Sequence, residues 1–473
     1  MRDAFGTLRA RARFGRGRCL LSDYTATAVV IGGGLAGLET AWELHRRGVR
    51  DVLVVEPASG PRSGGRASVW DTARPPHYVG TGSPAAAVGG RSLLWHGVVL
   101  RLEPWALAAP WWPVEVVEAL RPAVGEGLYD RVEGDLERWV GRPLSAGVDA
   151  DEVLAGRLLA AGLAGARPVP QAVRDGVAYS PLQHWAGRAT APRIQTGWSA
   201  IELVPGRVPG VRLGAIDGRA ERVVSGDAVV LAAGALETTR LVLQAVGASG
   251  RVPTGLNDHL VQGFVALVPP SALGFPAATA AFAFVAGSAD SRSNLFVRVR
   301  PRPEDPGLVL LDVWEMGEQL PEGQTSLTVV RGDPPPWHAR VHPDLSERDR
   351  ELLAGQRSRL RTTWSALGAS SALPDFPDLL TEPVGFDTAS ARLSPGTGPQ
   401  VYAWPLGAVQ HEGGSLPLGG DLVDGAGAVR AVPGVHVVGP AVLPRAGAAN
   451  PSLTTLALAR RTGALLAGAD LTS

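Results

Sequence analysis

Three apolar patterns follow one another between Ala28 and Glu56. Ala28 to Ile31 is an uncharged run, Leu38, Ala41 and Leu44 recur every third residue, and Val52 to Val55 is apolar again. They predict a strand buried on both faces, a helix ended by Gly48, and a second strand that delivers Glu56. Further along, a helix is expected to open near Pro113 and an amphipathic one to cover Val132 to Val140. Arg193 to Val204 and Gly210 to Ile216 alternate as strands do, and Asp227 to Gly234 reads as a buried strand feeding a helix from Leu236 to Val246. Phe264–Val268, Ala281–Val285, Leu295–Val299, Leu308–Val313 and Ser326–Val330 are β-rich runs separated by Pro/Gly turns, which predicts an antiparallel sheet and a second domain. A helix N-capped by Ser346 runs to Leu367, and a strand after Gly434 precedes a last helix, Leu453 to Ala467. The expected fold class is α/β: a doubly wound, Rossmann-like domain plus an α+β domain built on the antiparallel sheet.

Composition narrows the chemistry. The 473 residues are 45% hydrophobic and 19% charged, an ordinary globular balance, and 45 basic against 45 acidic residues leave no global field for nucleic acid or an anionic membrane. All the basic residues are arginine, which excludes Schiff-base lysine chemistry, pyridoxal phosphate attachment and a P-loop lysine. Cys19 is the only cysteine, so there is no internal disulfide and no multi-cysteine metal site. The first two dozen residues carry Arg9, Arg11, Arg13, Arg16 and Arg18 without an apolar block. They read as a mobile extension, with a mitochondrial-type presequence as the alternative. Leu260 to Ala289 has no charge, but Pro269, Pro270 and Pro276 interrupt it, so strands are expected there and no membrane span. The expected location is cytoplasmic.

Gly32, Gly34 and Gly37 fall on the G-x-G-x-x-G spacing between the first strand and its helix. That spacing permits a tight turn, close backbone approach to a pyrophosphate and close helix packing, and Glu56 is placed to accept from a ribose. The fingerprint itself leaves FAD and NAD open. A loop Ser59 to Arg66 and the block Val88 to Gly97, with Gly89, Gly90, Arg91, Ser92 and Trp95, offer a second set of backbone N–H groups beside a cation. Near the end of the chain His411, beside Gly413 and Gly414, is a candidate base, because a neutral imidazole accepts a proton near pH 7. Asn450, one of three asparagines, sits just before the last helix and offers a donor and an acceptor to a substrate oxygen. Trp111 and Trp112, in a presumed helical lid, are candidates for stacking on a ring. No histidine pair shows metal-ligand spacing, and His259 with Asp258 reads as support for the sheet.

These landmarks in order, namely the N-terminal fingerprint, Gly89-Gly90-x-Ser92, Leu231 to Arg240, Asn257-Asp258-His259, His411 with Gly413 and Gly414, and Asn450-Pro451-Ser452, resemble the glucose-methanol-choline (GMC) family of flavin oxidoreductases over nearly the whole chain. The resemblance implies FAD, an antiparallel substrate domain and oxidation of an alcohol by hydride transfer to the flavin, with His411 as catalytic base and Asn450 as its partner. It also implies cofactor contacts at Ile194, Ala233, Gly439, Pro440, Asn450 and Pro451 beside the glycines and Glu56. The block Gly90 to Gly97 with Trp112-Pro113 is most similar to the sugar-oxidising and short bacterial branches. Leu94 occupies the position of a histidyl–flavin linkage, with His96 two residues on, so noncovalent FAD is expected. The implied organisation is an extension (1–24), an FAD domain (25–262) with a helical lid near 100–185, a substrate domain (263–404) and a return segment (405–473). The expected substrate is a small polar, sugar-like or specialised-metabolite alcohol, with oxygen or another carrier as electron acceptor. A flavin-dependent lyase or isomerase and a catalytically silent flavoprotein are the alternatives.

Overall fold

The structure is a computed structural model that describes residues 13–14, 18–57, 70–72, 87–322, 325–332 and 335–468. The Ser59 to Arg66 loop and residues 1–12 and 15–17 of the arginine-rich segment lie outside them.

The first sheet holds the nucleotide-type module. Its strands are β1 (Arg18–Ile31), β2 (Val52–Glu56), β3 (Arg193–Thr196), β4 (Trp198–Val204), β5 (Gly210–Ala215) and β6 (Ala220–Leu231), in the order β3-β2-β1-β6-β5-β4. β1 begins inside the segment expected to be mobile, and pairs along its length with β6. β1, β2, β3 and β6 are parallel, so Ile31, Glu56 and Leu231 end at one edge. Ligands gather at such an edge. The uncharged run Ala28–Ile31 is buried on both faces, and helix α1 (Leu35–Arg46) lays Leu38, Ala41 and Leu44 on it. Arg193 to Val204 is two strands and not one, because Gly197 takes a left-handed φ of 82° that L-residues avoid and turns the chain between opposite edges of the sheet.

Helices α2 (Val114–Leu120), α3 (Leu128–Val140) and α4 (Asp149–Ala160) fill the stretch expected to be a lid. Trp112 is core there, 4% exposed. Helix α5 (Gly234–Ala245) follows β6.

The second module is a sheet of β7 (His259–Val268), β8 (Ala281–Val285), β9 (Ser293–Pro301), β10 (Val309–Glu318) and β11 (Gln400–Ala403), in the order β11-β7-β10-β9-β8 with Arg167–Pro168 at its edge. All its pairings are antiparallel. One face packs Val297, Val299, Leu311 and Val313 against α4 and the long helix α6 (Glu347–Ala366), which opens on a Ser346/Asp349 capping box. The other face, with Phe296 and Trp314, turns to the nucleotide module. Ser326–Val330 leaves this sheet: it pairs with Gly250–Pro253 and His338–His342 in a separate small one. The chain then returns through β12 (Val435–Val437), parallel to β6, and ends in α7 (Ser452–Leu466), which packs on α1 and α3. Tyr129 of α3 hydrogen-bonds Thr454 of α7 at 2.8 Å, and Arg460 pairs with Glu39 of α1 at 2.6 Å. No described helix is long and apolar enough to cross a membrane.

Candidate active site

The glycine turn after β1 has the shape of a phosphate cradle. Gly32 has φ 106°, and a Cβ on it would sit 2.4 Å from the Ala232 carbonyl; one on Gly37 would sit 1.9 Å from the Gly32 carbonyl. Only glycine fits either place. At Gly34 a Cβ would meet nothing within 4 Å, and no side chain caps α1, whose N-cap is Gly34. An open backbone beside an uncapped helix N-terminus suits an anionic diphosphate. Glu56 Oε2 accepts the Gly33 N–H at 2.8 Å, which holds the carboxylate at the lip of the turn. Ile194 lies beside Val54 in the neighbouring strand.

The second glycine block joins this cradle. Gly89 donates to the Gly33 carbonyl at 2.7 Å, and Gly90 stands against Gly34 as the chain enters a 3₁₀ turn, Gly90–Leu93. Ser92 is buried, its hydroxyl 2.6 Å from the Gly89 carbonyl and 2.7 Å from Ser180, while Trp95 donates to Tyr179 O at 2.8 Å. Arg91 turns toward the return segment: its guanidinium pairs with buried Glu412 and donates to Gln410 O at 2.8 Å. Its place in the site is to hold the His411 loop. On the far side of the turn, the Ala233 N–H donates to Thr238 at 3.1 Å, and Gly439, with φ 104°, brings the Pro440 turn against Ala36 of α1.

His411 and His259 form the centre. Backbone bonds between Asn257 and Gly413, at 3.1 and 2.9 Å, clamp the start of β7 to the His411 loop. Asp258 Oδ1 accepts the N–H of both His259 (2.8 Å) and His411 (3.0 Å). The two rings then meet edge to face with their Nδ1 atoms 2.9 Å apart, and His259 Nε2 lies 3.0 Å from the Gly447 carbonyl. A carbonyl only accepts, so His259 carries its proton on Nε2 and presents a bare Nδ1. His411 must therefore donate from Nδ1, which leaves the lone pair on its Nε2. Burial lowers the pKa of His259 to about 4, and burial with the neighbouring His259 and Arg91 holds His411 well below 6.5. Both rings are neutral at pH 7. His259 is thus the partner of His411, not a mere support of the sheet.

The loop carrying Gly447 is itself latched. Glu318 binds Arg445 through two 2.8 Å contacts and accepts the Gly447 N–H at 3.0 Å; Glu103 accepts from Ala448 N at 3.2 Å and from Asn294 Nδ2 at 3.0 Å. Burial pushes the Glu103 carboxyl up to about 7. Two residues beyond Ala448 lies Asn450, whose Oδ1 is buried without a hydrogen-bond partner. An orphaned acceptor at this depth calls for a donor from a bound molecule. Pro451 follows as the N-cap of α7, which no side chain caps, so a helix dipole faces the same place.

Gly89 and Glu56 meet the glycine turn, His411 sits against His259, Ile194 lies within strand β3, and Arg91 pairs with Glu412. Sequence reasoning missed Glu103, Glu318, Asn294 and Glu412, and it undervalued His259; only Asp258-His259 and Glu412, adjacent to quoted motifs, carried a signal. Asp258, His259 and His411 put donor atoms within 4.8 Å of one another, a cluster of metal-ligand residue types among the described residues. The hydrogen bonds above already account for that closeness.

Two family profiles match: one described as GMC oxidoreductase over residues 322–459, and one described as NAD(P)-binding Rossmann-like domain over residues 30–91. No curated protein matches. In the solved structure of pyridoxine 4-oxidase from Mesorbium loti, the similarity covers 93% of this chain and 99% of that one at a TM-score of 0.60 and 20% identity, a likeness of fold. The GMC oxidoreductase profile thus lies on the segment that bears His411 and Asn450, and the Rossmann-like profile on the glycine turn.

Proposed function

We propose that the chain oxidises a CH–OH group to a carbonyl, with His411 Nε2 taking the hydroxyl proton. The observation that carries this reading is the chain Gly447 carbonyl, His259, His411, which leaves one basic nitrogen of known tautomer on a neutral ring. Noncovalent FAD fits the residues: the open Gly34 cradle, Glu56 at the end of β2, and the uncapped starts of α1 and α7. Leu94 offers no atom for a covalent linkage. When bound, FAD supplies the hydride acceptor. The chain's own residues do the rest. Asn450 Oδ1 accepts from the substrate hydroxyl and orients it, and His411 receives the proton at Nε2. Positive charge on the His411 ring is eased by its Nδ1–H bond to His259.

Small polar alcohols are the substrates to try, with pyridoxine-like compounds first because of the fold likeness, and oxygen is the acceptor to try first. The test is anaerobic mixing of holoenzyme with an alcohol panel. Flavin bleaching by an alcohol, slowed about 10²- to 10⁴-fold in His411→Ala with flavin retained, is expected; wild-type rates in that variant would remove His411 from the reaction.

A further inference from the structure

Three non-glycine residues among the described ones hold a left-handed φ: Asp175, Arg292 and Gln410. Asp175 shares a two-residue hairpin turn with Gly176, where that angle is ordinary. Gln410, at φ 61°, immediately precedes the base His411. An L side chain in this region crowds a carbonyl oxygen, so an unsupported loop would favour the relaxed conformer by roughly 5- to 30-fold. Strain kept next to a reacting group points to something that holds it there.

The contacts show what holds it. After His411, Gly413 exchanges two backbone bonds with Asn257, and the His411 N–H goes to Asp258 Oδ1 at 3.0 Å. Before it, the Gln410 carbonyl accepts from Arg91 Nη1 at 2.8 Å. The same guanidinium pairs with the Glu412 carboxylate, with 3.2 Å from Nη2 to Oε1. One planar fork thus spans the residues on both sides of His411. Burial and the nearby Glu412 raise the Asp258 carboxyl, while its two backbone N–H bonds and Arg91 oppose them. Arg91 itself starts from the glycine turn: Gly89 donates to Gly33 O at 2.7 Å, and a Cβ on Gly90 would lie 3.0 Å from Gly34 Cα.

We propose that Arg91 is a positioning residue for the base: by gripping Gln410 and Glu412 it holds the strained bend that aims His411 Nδ1 at His259, and it registers that bend to the glycine turn. Without the fork, residue 410 relaxes and the Nδ1 contact opens. His411 can then move its proton to Nε2, where no lone pair remains. The effect on rate rests on the alcohol oxidation proposed above; the effect on the ring does not.

Wild-type holoenzyme is compared with Arg91→Met/Glu412→Gln, with Gln410→Gly and with the triple variant. Changing Glu412 together with Arg91 leaves no buried carboxylate without its cation. Arg91→Lys, which keeps the charge without the fork, takes the place of the double variant if that does not fold, with the same outcomes expected. Nitrogen NMR of isotope-labelled histidine, in oxidised holoenzyme without alcohol, reads the tautomer of His411, whose signals are those missing from His411→Gln. Anaerobic stopped-flow reduction by pyridoxine reads the rate. The double variant is expected to populate the Nε2–H form and to reduce its flavin about 5- to 30-fold more slowly. Gln410→Gly alone should resemble wild type. Added to the double variant, it should restore the tautomer and most of the rate, because glycine takes the left-handed angle without a steric penalty. A merely structural ion pair would lower the melting temperature and leave nothing for the glycine to relieve. A wild-type tautomer in the double variant, or a loss that Gln410→Gly does not relieve, overturns the proposal. A tautomer change that glycine reverses, with no bleaching of the wild-type flavin by pyridoxine, keeps Arg91 in this role and counts against pyridoxine oxidation.

Discussion

Replacing His259 by Phe removes both ring nitrogens from the chain that runs from the Gly447 carbonyl to His411, at 3.0 and 2.9 Å. Two costs follow. The buried carbonyl and the His411 Nδ1–H lose their partners, about 1–3 kcal/mol of stability for each group left unsatisfied. The rate suffers separately: the bond to His259 strengthens as His411 takes up charge, and a charge-assisted bond is worth about 1.5–3 kcal/mol. At 1.36 kcal/mol per factor of ten, flavin reduction should slow roughly 10- to 100-fold. His411 is then also free to adopt the other tautomer, with its proton on Nε2 and no lone pair there. The assay is anaerobic stopped-flow reduction as a function of pH, with melting temperature recorded beside it. His259→Gln, which can present an amide N–H to Gly447 and an oxygen to His411, should recover part of the rate. If His259→Phe melts lower but reduces its flavin at the wild-type rate with the wild-type pH profile, His259 is structural only and the tautomer argument fails.

Asn450→Ala should slow flavin reduction less than His411→Ala and raise KM, read in single-turnover and steady-state kinetics; an unchanged KM and rate would remove Asn450 from substrate positioning. His411 is held well below its ordinary pKa, so kcat/KM should stay flat through pH 6.5 and fall only in more acid solution. A break near 6.5 assigned to His411 would contradict its setting. His259 is neutral in the fold to about pH 4, whereas the unfolded ring protonates near 6.5. The unfolded state therefore binds its proton first, and stability from this group is complete above 6.5 and drains by about 3 kcal/mol as pH falls to 4. Denaturant melts at several pH values should show His259→Gln losing less than wild type over that window. Glu103 runs the other way: with its carboxyl raised to about 7, wild type is favoured below the unfolded value near 4.5 and loses ground as pH rises through 7. Glu103→Gln should gain on wild type between those limits in the same melts.

Local periodicity carried much of the fold. Ala281–Val285 forms a strand with the bounds its apolar run suggested, and the Ser346 cap opens α6 as read. The β1-α1-β2 unit was legible because a strand buried on both faces must be uncharged. Gly197 was not: a glycine inside an alternating run looks the same whether it continues a strand or, at φ 82°, splits it between two sheet edges. Arg91 shows the limit for the site. A cation after two glycines suggests phosphate, but its partner Glu412 lies 321 residues away, and no spacing rule reaches that far. The His259–His411 contact spans 152 residues and depends on the Asn257–Gly413 clamp, so each histidine was visible and their meeting was not.

That meeting has a consequence for engineering. His259 belongs to the antiparallel module and His411 to the segment that returns to the parallel one, so the proton acceptor is assembled across the seam. A chimera that imports a relative's antiparallel module must bring a compatible Asn257–His259 corner with it. Lacking one, it should remain yellow, because the cradle at Gly34 is untouched, yet turn over slowly.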